Sequence, residues 1–320
     1  MNNNDDASRA LSGIHRDRYE IRQMMLRQSF KRKLLDKSVT ILTVASVLAA
    51  LVPLGSILLE VVKNGSMALS IEFLTQTPDK IGSGEGGVGP SIQGTLIVVG
   101  VASLISAPVG VSGGIYLAEF SSSRGRIHNK FASTVRFFSD VLTGLPSIVI
   151  GIVGYVAIVL TFGFSVWAGA FALSVIMIPI VVRVTEETIK LVPDSIREAG
   201  YALGIPKWKI ILFIVLKTSM SGVLTGIVLA ISRITGETAP LIMTIFGSSL
   251  FFSEFAGPID ALPLRIWRLA SQPYASAHSF GWGAALVLIM IVLALSVSLR
   301  VLAYYRSTGA ASRRPTKIER

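Results

Sequence analysis

The chain of 320 residues contains no cysteine, which excludes disulfides and thiolate metal sites and says nothing further about compartment. Histidine is scarce as well. His15, His128 and His278 are scattered, with no His-Glu-x-x-His pattern and no carboxylate at ligand spacing, so each reads as an ordinary loop or interface residue and no metal or other cofactor is expected. The two Lys-Ser/Thr pairs, Lys37-Ser38 and Lys217-Thr218, are preceded by Asp36 and Leu216 rather than glycine. There is no phosphate-cradling P-loop, and any energy drawn from ATP comes from another chain. Gly82-Ser83-Gly84-Glu85-Gly86-Gly87 spells G-x-G-x-x-G, but no strand precedes it and no βαβ unit surrounds it, so its glycines shape a turn and not a dinucleotide site. Charged residues make up only 15% of the chain, and no nucleophile, metal set or acid/base pair points to an enzyme embedded in the membrane.

What is abundant is apolar sequence. With 51% hydrophobic residues and a mean hydropathy of +0.64, the chain reads as an all-α polytopic membrane protein. Six spans are expected, over Val39 to Val62, Ile92 to Leu117, Val141 to Phe162, Val166 to Val184, Ile210 to Ile231 and Trp282 to Tyr304. The third and fourth, separated by Gly163-Phe164-Ser165, form a hairpin. A basic arm over 1–38, a transmembrane domain over 39–305 and a basic tail over 306–320 complete the organisation.

Basic residues sort by side. The arm (Arg9, Arg16, Arg18, Arg22, Arg27, Lys31, Arg32, Lys33, Lys37), the second loop (Arg124, Arg126, Lys130, Arg136), the fourth loop (Arg183, Lys190, Arg197, Lys207, Lys209) and the tail are rich in them. The intervening loops carry few: Lys63 and Lys80, then none, then Arg233, Arg265 and Arg268. Both termini are therefore expected in the cytoplasm. A net charge of +11 that sorts this way is explained by topology and anionic lipid, and nucleic-acid binding is set aside. In the arm, Ile21, Met24, Met25, Phe30, Leu34 and Leu35 interleave with basic residues, as in a helix lying along the inner leaflet or a solvated basic tail. No short apolar segment with a small-residue cleavage site follows, so the arm is expected to be retained.

Between the fourth and fifth spans lies a short polar stretch, residues 195–204. Ser195 and Glu198 stand in the Ser-x-x-Glu relation of a capping box, and Gly204 before Ile205-Pro206 supplies a stop, which predicts a helix of about two turns. Ile196, Ala199, Gly200 and Leu203 would share a narrow face of low bulk. Either this helix rests on its own membrane domain as a solvated loop, or that face lets another protein approach the backbone.

Two places carry charge at or within the membrane. Arg233 follows the fifth span without a polar break, and apolar sequence then continues to Phe252, too far for one crossing. The chain must therefore kink or re-enter after Gly236 or Pro240, and irregular backbone at that depth survives only where it lines a cavity or is packed by protein. Glu237, four residues on, is placed by a helix on the same face as Arg233. Arg183 ends the fourth span, ahead of Glu186 and Glu187. Both arginines could snorkel to an interface, with Glu237 neutralising Arg233. Alternatively they line a cavity, where a guanidinium fork suits phosphate or carboxylate and a neighbouring carboxylate accepts a proton-bearing oxygen, favouring protonated phosphate over sulfate.

Several motifs carry a family resemblance. Glu198-Ala199-Gly200, three residues, Gly204, nine residues, then Ile214 and Leu216 resembles the cytoplasmic EAA loop of ABC importer permeases, with Gly200 in place of Ala and Lys217 in place of a closing Pro. Lys217 leaves the start of the next span charged and unkinked. Gly86 to Leu96, Gly114 to Phe120, Gly144 to Gly151, Val181 to Glu187, Gly236 to Leu241, Ala261-Leu262-Pro263 and Ser271-Gln272-Pro273 together resemble the PstA-type permease family of phosphate ABC importers. The resemblance implies the type I importer permease (MetI-like) fold and inward transport of inorganic phosphate. It implies as partners a PstC-like second permease, a homodimeric PstB-like ATPase and an extracytoplasmic PstS-like phosphate-binding protein. It makes Arg183, Arg233 and Glu237 the translocation path, and Glu198, Ala199, Gly200 and Gly204 the ATPase coupling segment.

A permease for phosphonate, sulfate or molybdate is the nearest rival. A self-contained secondary transporter would need inverted repeats and buried coupling-ion ligands, and the sequence offers neither.

Overall fold

The computed structural model describes residues 3–78, 86–121 and 125–311, with no side-chain detail for 3–31, 34, 125–128 and 302–311. The side chains of His15, His128 and the arm residues Ile21, Met24, Met25, Phe30 and Leu34 are among those without detail, and the glycine-rich turn from Gly82 to Glu85 and the tail beyond 311 lie outside the described residues. The chain divides into two units, Met1–Glu60 and Val61–Arg320. The first is taken up by most of α1 (Asn3–Ala68), whose apolar part begins at Leu35; its first buried residue, Val61, already belongs to the second unit.

The second unit holds the end of α1 and twelve further helices: α2 (Ile71–Thr75), α3 (Gly89–Glu119), α4 (Gly125–Gly144), α5 (Ser147–Gly154), α6 (Leu160–Phe162), α7 (Val166–Lys190), α8 (Asp194–Ala202), α9 (Lys207–Lys209), α10 (Leu216–Thr235), α11 (Ala239–Thr244), α12 (Leu262–Ala270) and α13 (Ala275–Ala311). Two stretches of wider π-helix, Tyr155–Val159 and Ile210–Val215, join α5 to α6 and α9 to α10. No strand forms among the described residues beyond two isolated bridges.

Five stretches are long and apolar enough to cross a membrane: Leu35–Ala68, Gly89–Glu119, Val166–Lys190, Lys207–Thr235 and Ala275–Val301. These cover the expected first, second, fourth, fifth and sixth spans. The third differs. Instead of one helix from Val141 to Phe162, the chain bends by 105° between Asn129–Gly144 and Ser147–Phe162. Pro146 is the physical cause: it has no N–H to give α4's last turn, and its ring steers Leu145 away from helical backbone. Beyond it, Gly163 at φ +84° turns the chain and Ser165 caps α7 by accepting from the Ala168 N–H at 3.3 Å.

α7 is the centre. Its span is 67% buried, against 39% or less for every other. Leu173, Met177 and Val181 of α7 pack with Val98 and Ala102 of α3, Ile150 of α5, Ala230 and Ile234 of α10 and Leu241 of α11. Glycines set the spacing on both flanks. A Cβ on Gly110 or Gly114 of α3 would fall 2.6 Å from Val181 or 2.5 Å from Thr185. One on Gly222 or Gly226 of α10 would fall 2.3 Å from Thr188 or Val184. In lipid such close backbone approach replaces the hydrophobic effect as the source of helix association.

After α10 the apolar run does break. α10 stops at Thr235, α11 lasts six residues, and Phe246 (φ +63°) with Gly247 (φ +80°) turns the chain back. The return to α12 is fastened by a buried pair, Arg265 Nε donating to Asp260 Oδ2 at 2.7 Å, with the Ser91 hydroxyl of α3 on the same oxygen at 2.6 Å.

Gly226→Leu should lower the unfolding temperature in detergent, at an overpacking cost of about 1–3 kcal/mol. Gly100→Leu, whose Cβ meets nothing within 4 Å, should leave it unchanged. Equal shifts for the two variants would show that α7's spacing does not depend on these glycines.

Candidate functional site

The two helix breaks meet. Arg233 in the last turn of α10, Leu145 and Ser147 on either side of the α4–α5 break, and Ile176 and Ile180 from the middle of α7 line one cleft of about 70 Å³. Gly151 of α5 lies against the other break, where a Cβ would come 2.7 Å from the Cα of Pro240. Pro146 gives α5 no side-chain cap; the Val149 N–H turns back to the Pro146 carbonyl at 2.9 Å, and Ser147, the first residue of the helix, lines the cleft. Among the described residues the Ser147 hydroxyl makes no hydrogen bond, whereas Thr143 spends its proton on the Ser139 carbonyl at 2.8 Å. An arginine fork, a free hydroxyl and a helix N-terminus together favour an oxyanion.

Glu237 sits beyond the end of α10, not on its face, because Gly236 and Glu237 turn their N–H groups back to the carbonyls of Arg233 and Ile234 at 3.2 Å each. Its carboxylate still approaches Arg233 Nε, at 3.8 Å, too far for a hydrogen bond. The Arg233 side chain is 54% exposed and that of Glu237 17%. The guanidinium is therefore drawn toward the break while its donors stay open.

Arg183 stands in a larger adjoining cleft of about 480 Å³, which shares Thr143 and Ile180 with the first. Its Nε donates to Glu187 at 2.7 Å, and Asp140 of α4 lies 3.8 Å from Nη1. With one cation between two carboxylates, this site holds a net negative charge and attracts an anion less than Arg233 does.

The polar helix between the spans is α8. Pro193, not Ser195, is its N-cap and no side chain caps it, so the expected capping box does not form. Helical backbone already begins at Asp194, which leaves Ser195 inside the first turn, and Asp194 offers its charge to the positive end. The expected stop is present: Gly204 takes φ +71°, its N–H reaching Tyr201 O at 2.9 Å and the Ile205 N–H reaching Gly200 O at 3.1 Å.

The face of low bulk is divided. Gly200 is buried, with a would-be Cβ 2.9 Å from Ile210, and Ile196 packs toward Ile189, Val192 and Val215. The small residue serves α8's seat on its own domain, because the helix rotates its most apolar pair inward. Glu198, Ala199, Tyr201, Ala202 and Leu203 are exposed, Leu203 at 78%, as are Leu191 before the helix and Trp208 after it. The span that follows opens with the Ile210–Val215 π-helix, so it is not regular even without a proline.

Residues 110–308 match the family described as binding-protein-dependent transport system inner membrane component. The chain belongs to this family. It is 38% identical over 277 residues to the phosphate transport system permease protein PstA of Yersinia pestis, covering 86% of this chain and 92% of the relative. The namesake from Haemophilus influenzae is 38% identical, covering 86% and 96%, and that from Mycobacterium leprae 36%, covering 88% and 93%. A solved inward-facing MetNI methionine ABC transporter superposes with a TM-score of 0.58 at 16% identity, over 68% of this chain and 94% of that one, which shows the shared type I importer permease fold. The chain is thus a multi-pass membrane protein of a family of transport components.

Besides the Arg265–Asp260 pair, two further buried charge clusters among the described residues carry no local sequence signal. Glu186 of α7, counted only as a neighbour of Arg183, accepts from Arg136 of α4 at 2.9 Å and from Lys190 at 2.5 Å. Arg197 of α8, counted only as a loop charge, is bonded to Glu119 at the end of α3. The Gly114 to Phe120 stretch holds Glu119 and resembles the family, but it gave that residue no role.

Gly200→Val should destabilise the protein by about 1–3 kcal/mol through collision with Ile210, whereas Ala199→Val on the outer side should be neutral. Thermal unfolding of the two purified variants in detergent checks this.

Proposed function

We propose that the chain is the membrane-spanning permease subunit of an ATP-driven importer that carries inorganic phosphate into the cytoplasm. The substrate is supported by relatives named as phosphate permeases that align over 92%, 96% and 93% of their own lengths. The path is carried by one observation: Arg233, at the mid-depth of α7, faces the break between α4 and α5 and adjoins the break after α10. Arg233 takes the phosphate oxygens with its fork, and Ser147 adds a donor. Glu237 positions the arginine and can accept the proton of a protonated phosphate. Arg183, held by Glu187, lines the next cleft and binds an anion weakly enough to pass it on.

The partners are a PstC-like permease, a homodimeric PstB-like ATPase and a PstS-like phosphate-binding protein outside. ATP hydrolysis belongs to the ATPase. Both termini lie in the cytoplasm with α8, whose outward residues Glu198 and Ala199 meet the ATPase, while Gly200 seats the helix from within and Gly204 ends it. Closure of the ATPase pair then moves α8 and rocks the two permeases between alternate access states. Reporters fused after Lys80 or Phe255 should read as external, and after Arg126 or Lys190 as cytoplasmic.

In the assembled importer, Arg233→Gln should lower phosphate uptake about 10- to 100-fold, the worth of a charge-assisted contact of about 1.5–3 kcal/mol. Arg233→Lys, which keeps the charge and loses the fork, should recover part of it, and Ser147→Ala should cost only a few-fold. Uptake is measured at matched expression and matched ATPase assembly. Full uptake by Arg233→Gln would return this arginine to a snorkelling role.

A further inference from the structure

Arg197 is nearly buried at 14% exposure, and Glu119, which it meets, is 6% exposed. Nε and Nη2 of Arg197 donate to the same Glu119 Oε1 at 3.0 and 2.7 Å. Nη2 also reaches the carbonyl of Ile189 at 3.1 Å, which the Val192 N–H shares at the same distance, and Nη1 reaches the carbonyl of Val192, just past the end of α7, at 2.6 Å. Nη1 further donates to Asp194 at 3.1 Å. From the far side of α8, Lys207 donates to the Glu119 backbone carbonyl at 2.8 Å and lies over the Phe120 ring. A single guanidinium thus joins α8 to the ends of both α3 and α7, and the same glutamate residue also receives the start of the α9–α10 span.

Stability alone is a weak reason for such a joint, since a buried ion pair gains little over an apolar replacement of the same shape. What it does supply is direction. α8 has nine residues and rests on its own domain mainly through Ile196 and Gly200. A contact so small and apolar lets a short helix roll. Four donor contacts that leave α8, fanned from one rigid plane, do not, because rolling α8 would have to break bonds to the ends of both α3 and α7 at once.

We infer that the Arg197–Glu119 pair is the transmission joint of the permease: positioning residues that make a push on α8 move α3 and α7 together instead of rotating α8 in place. This rests on reading α8 as the coupling helix. α3 and α7 meet along the Gly110 and Gly114 contact, so a displacement entering at Glu119 and Val192 reaches α7's middle, beside Arg233, as one rigid movement.

The test uses the whole importer reconstituted in liposomes with its ATPase and phosphate-binding protein, and reads phosphate transported per ATP hydrolysed. Glu119→Gln should assemble and hydrolyse ATP while that ratio falls about tenfold, within the usual range of a coupling between sites. Arg197→Lys, which keeps the charge pair and loses the fan, should fall less. It also supplies the measurement if Glu119→Gln does not assemble. Because the chain has no cysteine, Glu119→Cys with Arg197→Cys can be bridged by a short bis-maleimide, and bridging should restore the ratio. An unchanged ratio in assembled Glu119→Gln or Arg197→Lys, or transport and hydrolysis falling in equal proportion, overturns the proposal. A photo-cross-linker at Ala202 of the wild-type chain separates the two readings: failure to capture the ATPase sinks the coupling helix itself, whereas capture with an unchanged ratio sinks only the joint.

Discussion

Close approach to α7 is the constraint on which the rest depends. Lipid tails are as apolar as the side chains they would replace, so helices in this chain gain little by hiding leucines from water and must gain by fitting. The glycines of α3 and α10 let two backbones come within one side-chain layer of Val181, Thr185, Val184 and Thr188. Once those three helices are fixed, the positions of Arg183, Arg233 and the end of α7 are fixed with them. α8 and the cleft then become two ends of one packed body.

A second consequence concerns where irregularity is allowed. Breaking a helix within the membrane leaves N–H and C=O groups that hydrocarbon cannot satisfy. Both interior breaks of the second unit, at Leu145-Pro146 and at Gly236 to Thr238, lie beside Arg233. Grouping them confines the unsatisfied backbone to one place where water or an anion can reach it. The same groups that burden the fold are those an oxyanion needs.

The spans were legible because apolar runs of about 20 residues have few other readings. The break after α10 was legible too, since the run there was too long for one crossing. Pro146 was equally visible, but the apolar sequence on both sides of it masked the bend, and only the geometry shows α4 and α5 as separate helices. At α8 the terminator was readable from Gly204, whereas the facing of Gly200 depended on Ile210, whose position is a tertiary fact. Arg197 and Glu119 lie 78 residues apart, and no local pattern distinguishes a loop arginine in water from one with its donors taken. Topology rules use such charges as counters. Their second use, as joints, appears only when the helix ends are placed.

The contact between Gly151 and Pro240 carries a consequence of a different kind. Most tight contacts in a core are between side chains, and a larger residue on one side can be answered by a smaller one on the other. Here the nearest neighbour of a would-be Cβ at 151 is the Cα of Pro240, followed by the carbonyl oxygens of Pro240 and Ala239. Main-chain atoms are common to every residue, so no exchange of side chain at 239 or 240 makes room. Position 151 therefore has no compensating partner across this contact: in the history of such a chain, a lost glycine there is recovered by reversion and not by a second change opposite it.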